Sequence, residues 1–298
     1  MQNCRNYSKF ARFIFQPMKP IHDLEQLREK INRSTSQRSN LALVPTMGAL
    51  HKGHLSLIRK AVKENELVVI SIFVNPTQFD NKEDLKKYPR DLGADLKKIA
   101  AISDTCLVFA PDVSSLYPNG LQKGNYDLKG LDASMEGAHR KGHFQGVCTI
   151  VEALLTVVAP DVAYFGEKDF QQLQIIRHIV STRKIPVRIV GCPIVREKSG
   201  LAMSSRNQRL SDSNRIKAAN IYRILKAARQ KFGTKSATQV SEWAQNEVNS
   251  IPELKMEYFE IANENTLRPV LRKRKNGKYR AFIADYIDGI RLIDNIAL

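Results

Sequence analysis

The sequence predicts an α/β protein: a doubly wound parallel sheet followed by a smaller C-terminal α+β domain. Three observations predict it. Short apolar, β-branched runs recur between residues 41 and 194, with an amphipathic stretch between successive runs. Those runs are apolar nearly throughout, as strands covered on both faces are. After about residue 195 the order changes to helices followed by hairpin strands, the order of an α+β unit.

In chain order, LALVP (41–45) reads as a buried strand, HLSLIRKAVKEN (54–65) as a helix and ELVVISIFV (66–74) as a second strand. Leu92, Leu96 and Ile99 repeat at helical spacing within 91–103, ahead of the strand TCLVFAP (105–111). A polar, Gly-containing stretch fills 117–142. A helix follows with Val147, Val151, Leu154, Leu155 and Val158 on one side. The strand DVAYFG (161–166), the helix 169–183 and the strand VRIVGCPI (187–194) complete a Rossmann-like series. Beyond it, one helix opens at Ser211 and ends before Gly233, and a second covers roughly 236–250. Strands are expected at 255–262, 279–287 and 290–294. The expected division is an extension at 1–18, a nucleotide-binding domain at 19–194 and a lid domain at 195–298.

Composition limits the function. The chain has 298 residues, 43% hydrophobic and 26% charged, ordinary values for a globular protein with a real core. No apolar stretch approaches the length of a membrane helix. Cys4, Cys106, Cys148 and Cys192 are scattered without CxxC spacing, which argues against a disulfide framework and suits a reducing cytosol. The acid-free N-terminal stretch fits a transit peptide, an upstream-start extension or a disordered arm. The net charge of +17 invites a nucleic-acid reading, but much of it sits in residues 1–20 and in LRPVLRKRKNGKYR (267–280). A basic tail or hairpin reads more often as solvated surface than as a specific nucleic-acid site, and neither a nucleic-acid nor a membrane partner is expected.

Open α/β sheets bind ligands beyond the carboxyl ends of their strands, and four polar clusters fall there. PTMGALHKGH (45–54) offers two histidines and a helix start whose free N–H groups suit phosphate oxygens. Taken alone, His51 and His54 could instead cap the helix or, less well, bind a metal. GEKDFQQ (166–172) brings Lys168 for phosphate, Asp169 for a ribose hydroxyl and Gln172 one turn on; an ordinary helix start is the competing reading. MSSRN (203–207) can clamp a triphosphate or be a plain polar turn. FVNPTQF (73–79) supplies Asn75 and Gln78, neutral amides that suit a small polyhydroxy carboxylate, or a rigid Pro turn. EGAHRKGHFQG (136–146) reads as a lid, a substrate contact or a basic loop. Neither a P-loop nor a GxGxxG fingerprint is present.

Together these segments resemble a known family. PTMGALHKGH resembles the HxGH signature of the nucleotidyltransferase superfamily, and MSSRN is similar to its second signature loop. With FVNPTQF, YPRDL, LVFAP, EGAHRKGHFQGV, YFGEKDFQQLQIIR, GLAMSSRN and RLIDN in order from about 19 to 295, the chain resembles the pantoate–β-alanine ligases.

The resemblance implies ATP-dependent condensation of pantoate with β-alanine through a pantoyl adenylate, releasing AMP and pyrophosphate. It implies ATP contacts at Met47, Gly48, Ala49, Leu50, His51, Lys52, Gly53 and His54. Further ATP contacts are implied at Gly166, Glu167, Lys168, Asp169, Val195, Met203, Ser204, Ser205 and Arg206. Catalysis would rest on His54, described in the family as the proton donor, with His51, Lys168, Ser204, Ser205 and Arg206. Pantoate would meet Gln78 and Gln172, and β-alanine would meet Gln78. Mg²⁺ would accompany the ATP phosphates, with Asp95 as a water-mediated metal contact. A cytoplasmic homodimer is the assembly the resemblance suggests.

Overall fold

The computed structural model describes residues 18–34 and 40–298; the expected extension lies, but for Met18, outside the described residues. The helices are α1 Leu24–Ser34, α2 Lys52–Glu64, α3 Lys82–Lys87, α4 Leu92–Ala100, α5 Val113–Leu116, α6 Met135–His139, α7 His143–Val158, α8 Phe170–Thr182, α9 Asp212–Ala218, α10 Asn220–Phe232 and α11 Ala237–Asn249. The strands are β1 Leu41–Thr46, β2 Leu67–Ile72, β3 Leu107–Phe109, β4 Val162–Gly166, β5 Arg188–Cys192, β6 Lys255–Asn263, β7 Tyr279–Ile287 and β8 Ile290–Ala297.

Strands β1 to β5 form one parallel sheet in the order β3-β2-β1-β4-β5. The expected doubly wound sheet is therefore present, with its switch of direction between β1 and β4. Alternate residues of one strand serve opposite cores: Leu43 and Val69 pack towards α1, α7 and α8, while Val44 and Ile70 pack towards α2 and α4. This double burial explains the unbroken apolar runs.

Strands β6, β7 and β8 form an antiparallel sheet. One face, with Ile283 and Leu292, buries against Ile224 and Leu225 of α10 and Val240 and Ala244 of α11. The other face, with Tyr258, Phe282 and Ala284, joins the large core below the parallel sheet. The small sheet is thus apolar on both sides for the same reason as the large one.

Two expectations need correction in detail. The helix read from Ser211 to before Gly233 is broken at Ala219, where the Asn220 side-chain amide donates to the Lys217 carbonyl at 2.9 Å and competes with the helix ladder. The polar stretch 117–142 contains the short helix α6, and helices α1, α3 and α5 were not anticipated.

Candidate active site

The four strand-end clusters converge on one cleft. It encloses about 1400 Å³, including its solvent-open mouth, and is lined from the ends of β1, β2, β4 and β5 and by one side of α7.

The β1 end is built from backbone groups satisfied by distant side chains. Thr46 Oγ1 donates to the Ser71 carbonyl at 2.8 Å and accepts from the Gly48 amide at 3.2 Å. The chain then turns through left-handed Gly48 and Ala49 (φ 77° and 48°). The Leu50 amide donates to Asp95 Oδ1 at 2.8 Å, and Lys98 Nζ donates to the Leu50 carbonyl at 2.8 Å. Asp95 is 1% exposed and outside the cleft lining. Its Oδ1 holds the loop from behind, and its Oδ2 is without a hydrogen-bond partner.

His51 is the N-cap of α2, its Nδ1 accepting from the Gly53 amide at 3.1 Å, and His54 Nδ1 accepts from the His51 amide at 3.4 Å. The two rings stack with centroids 4.0 Å apart. A Cβ at Gly53 would lie 2.8 Å from His51 Cε1, so any larger residue there would have to displace the capping ring. Burial, then the neighbouring His54 ring and the Lys168 charge, lower the His51 pKa to about 2. Burial, then Lys168 and Lys98, lower that of His54 to about 4. Both rings are neutral at pH 7. With Nδ1 accepting in each, the ring proton must sit on Nε2. Capping and a ligand role are therefore compatible: Nδ1 caps the helix and leaves an Nε2–H donor.

At the β4 end, Lys168 Nζ lies 3.8 Å from Asp169 Oδ2. The turn is held from the small sheet, where Asn295 Nδ2 donates to the carbonyls of Glu167 and Lys168 at 2.9 and 2.8 Å. At the β5 end, Met203 pairs its amide with the Val195 carbonyl at 2.9 Å, and Ser204 Oγ accepts from the Arg206 amide at 3.2 Å. Ser205 Oγ reaches across to donate to the Ala49 carbonyl at 3.1 Å, joining this loop to the first one. Arg206 is not free: its Nη2 is 2.6 Å from Asp84 Oδ2 on α3, and Arg209 Nη1 is 3.3 Å from the other carboxylate oxygen.

The rest of the cleft lining is mixed apolar and amide. Phe73, Val147, Ile150, Val151, Leu154 and Phe165 line it with Gln78 and Gln172. Asn75 Nδ2 donates to Gln78 Oε1 at 3.2 Å, which fixes the orientation of the Gln78 amide.

Most expected site residues line the cleft: Met47, His51, Gly53, His54, Gln78, Gly166, Lys168, Asp169, Gln172, Val195 and Met203 to Arg206. Gly48, Ala49 and Leu50 belong to the supporting loop, and Lys52 and Glu167 are outside the lining. Sequence reasoning gave no role to Tyr88, although it opens the quoted YPRDL segment, missed Asp84, which carries no motif signal, and treated the apolar side of α7 as core alone. Arg140 and His143, both within the 136–146 segment read as a lid, a substrate contact or a basic loop, line the cleft.

The family described as pantoate-beta-alanine ligase matches residues 19–297. The chain is 52% identical to the pantothenate synthetase of Christiangramia forsetii over 281 residues, covering 94% of this chain and 99% of that protein. It is 46% identical to that of Bacteroides fragilis, covering 94% and 98%. The crystal structure of pantothenate synthetase from Thermus thermophilus superposes with a TM-score of 0.85 at 40% identity, covering 94% of this chain and 99% of that one. The Francisella tularensis pantoate-beta-alanine ligase, solved with beta-gamma ATP and beta-alanine, gives 0.78 at 36% identity, covering 94% and 97%. Fold, ordered motifs and close relatives agree: the chain belongs to the pantoate–β-alanine ligase family.

Proposed function

We propose that the cleft condenses pantoate with β-alanine at the expense of ATP, with the parallel-sheet half (19–194) binding nucleotide and pantoate and residues 195–298 acting as the lid. The observation that carries this reading is one cleft lined by two chemistries: neutral Nε2–H imidazoles with Lys168, and apolar side chains with the amides of Gln78 and Gln172. The first suits phosphates; the second suits a branched hydroxy acid.

A pantoate carboxylate oxygen attacks the α-phosphorus of ATP, the bond to the β-phosphate breaks, and pyrophosphate leaves. The β-alanine amine then attacks the acyl carbon of the adenylate, AMP leaves with the acyl oxygen, and the amine loses its proton. His51 and His54 donate through Nε2–H to the phosphate oxygens as charge shifts onto them, and Lys168 adds a full positive charge. Asp169 accepts from the ribose, and Ser204, Ser205 and Arg206 close on the phosphates. Gln78 and Gln172 hold the pantoate hydroxyl and carboxylate groups, and Gln78 also borders β-alanine. Positioning two reactants in line supplies much of the acceleration.

Mg²⁺ enters with ATP and neutralises phosphate charge when bound. Among the described residues no three His, Cys, Asp or Glu groups converge on a point, which fits a cation held chiefly by phosphate oxygens and water. No helix among the described residues is long and apolar enough to cross a membrane; the proposed setting is the cytoplasm, with the enzyme as a homodimer. The test is AMP and pyrophosphate release with pantoate, β-alanine and ATP–Mg²⁺, each omitted in turn. Dependence of AMP release on both organic substrates is expected, and its absence from a folded sample would refute the reading.

A further inference from the structure

His143 has no role in the chemistry above, yet its environment is fully specified. The residue is 6% exposed at the first turn of α7. Its Nε2 lies 3.1 Å from Arg140 Nη1, and its Nδ1 lies 2.7 Å from the main-chain carbonyl oxygen of Gln78. A guanidinium only donates and a carbonyl only accepts. One state of the ring satisfies both neighbours: neutral, with Nε2 bare and the proton on Nδ1. An imidazolium would set N–H against N–H and positive charge against Arg140. Burial, then Arg140, lower the His143 pKa to about 4, in keeping with that state.

Arg140 is itself committed. Nη1 is 3.3 Å from Glu136 Oε2, Nε is 3.6 Å from Asp80 Oδ1, and Nη2 donates to the same Gln78 carbonyl at 3.4 Å. Glu136 is gripped by both Nη atoms of Arg291 on β8, at 2.8 and 2.7 Å, and by Tyr258 Oη on β6 at 2.8 Å. A line of fixed polar groups therefore runs from the small sheet through Glu136, Arg140 and His143 to one peptide carbonyl. That carbonyl belongs to Gln78, which lines the cleft and whose side-chain amide lies between Asn75 and Met47.

We propose that His143 is a positioning residue: as a neutral Nδ1–H imidazole it fixes the Gln78 main chain and so aims the Gln78 amide at the second substrate. This rests on the reading that Gln78 binds pantoate. His143→Leu removes both contacts at similar volume, whereas His143→Asn keeps an N–H close to the position of Nδ1. In His143→Leu the KM for pantoate rises about tenfold, the loss typical of one positioning hydrogen bond, while the KM for ATP stays within about twofold. His143→Asn recovers most of that loss. On a Gln78→Ala background His143→Leu adds less than about twofold, because the side chain it aims is gone.

Gln78→Ala with an unchanged pantoate KM would refute the substrate reading and this inference together. A raised KM in Gln78→Ala with wild-type behaviour in His143→Leu would refute the inference alone. So would equal losses for ATP and pantoate in His143→Leu, no advantage of Asn over Leu, or a full Leu effect on the Gln78→Ala background. Histidine ¹⁵N spectra of the unmodified protein at pH 7 provide a check independent of variant folding. The Nδ1–H tautomer is expected at His143, and an Nε2–H tautomer or an imidazolium overturns the proposal.

Discussion

His54 sits where a neutral donor is worth most: beside Lys168, in a site that strips charge from any imidazole. Its replacement by Ala should slow single-turnover adenylate formation by about 100-fold or more, the cost of removing one preorganised donor to a developing charge. The following aminolysis step should change much less. Rapid-quench measurement of each half-reaction separates them, and equal slowing of both would contradict the role. The spacing of His51, Gly53 and His54 was legible in the sequence because the stack and the cap are local: three residues make both. Asp84 was illegible for the opposite reason, since its partner Arg206 is 122 residues away and neither residue type is unusual in its setting. The structural part Asp95 plays was illegible too, because the Leu50 amide that its Oδ1 holds meets it only in three dimensions.

Helix α7 shows how one element positions a site. It is packed so closely on the 76–78 turn that a Cβ at Gly146 would lie 2.3 Å from the Thr77 carbonyl oxygen and 2.8 Å from the Gln78 amide. The Gly146 carbonyl also accepts from Asn75 Nδ2 at 3.1 Å. Gly146→Ala must push turn and helix apart, so a destabilisation of about 1–3 kcal/mol is expected from overpacking, together with a raised KM for pantoate. Urea unfolding and steady-state kinetics check the two effects, and a variant of unchanged stability would show that the helix can shift freely. The strands were legible because double burial demands apolar runs, and the long helices because their spacing repeats. Helices α3, α5 and α6, of four to six residues, fell below what periodicity can register.

Across the whole molecule, several buried groups titrate away from their unfolded values, and their signs differ. His51, His54 and His143 have folded pKa values below 6.5, so the unfolded chain binds protons first as pH falls, and each costs stability below about pH 6.5. Asp285 opposes them: it is fully buried in β7 with both carboxylate oxygens unpartnered, and burial raises its pKa to about 7. The fold therefore takes up that proton before the unfolded chain does, and Asp285 favours the fold as pH drops from about 7. Each group contributes up to about 1.4 kcal/mol per pH unit, so three histidines outweigh one aspartate between pH 6.5 and 5. The urea midpoint should fall across that window, and Asp285→Asn should steepen the fall while stabilising the protein above pH 7. A midpoint independent of pH would overturn this account. The two-sheet architecture was legible as a change of pattern near residue 195, but the line of polar groups from Arg291 to Gln78 was not, because it is assembled from β8, α6, α7 and the 76–78 turn.

The pairing of Arg206 with Asp84 bears on which anions the cleft admits. A tethered carboxylate competes for that guanidinium at an effective concentration on the order of millimolar or above, so a small anion offering one contact gains little by displacing it. A triphosphate that also reaches Lys168 and the two imidazoles gains several contacts for the same exchange. Inorganic phosphate at about 10 mM, a concentration chosen to match that competition, should therefore inhibit the parent enzyme weakly and an Asp84→Ala variant more strongly; equal inhibition would show that the pair does not screen. On the proposed reading, a protein of net charge +17 would in this way work among abundant small anions without being saturated by them, because Arg206 already has an occupant in Asp84 that a ligand with several contacts displaces more readily than a small anion with one.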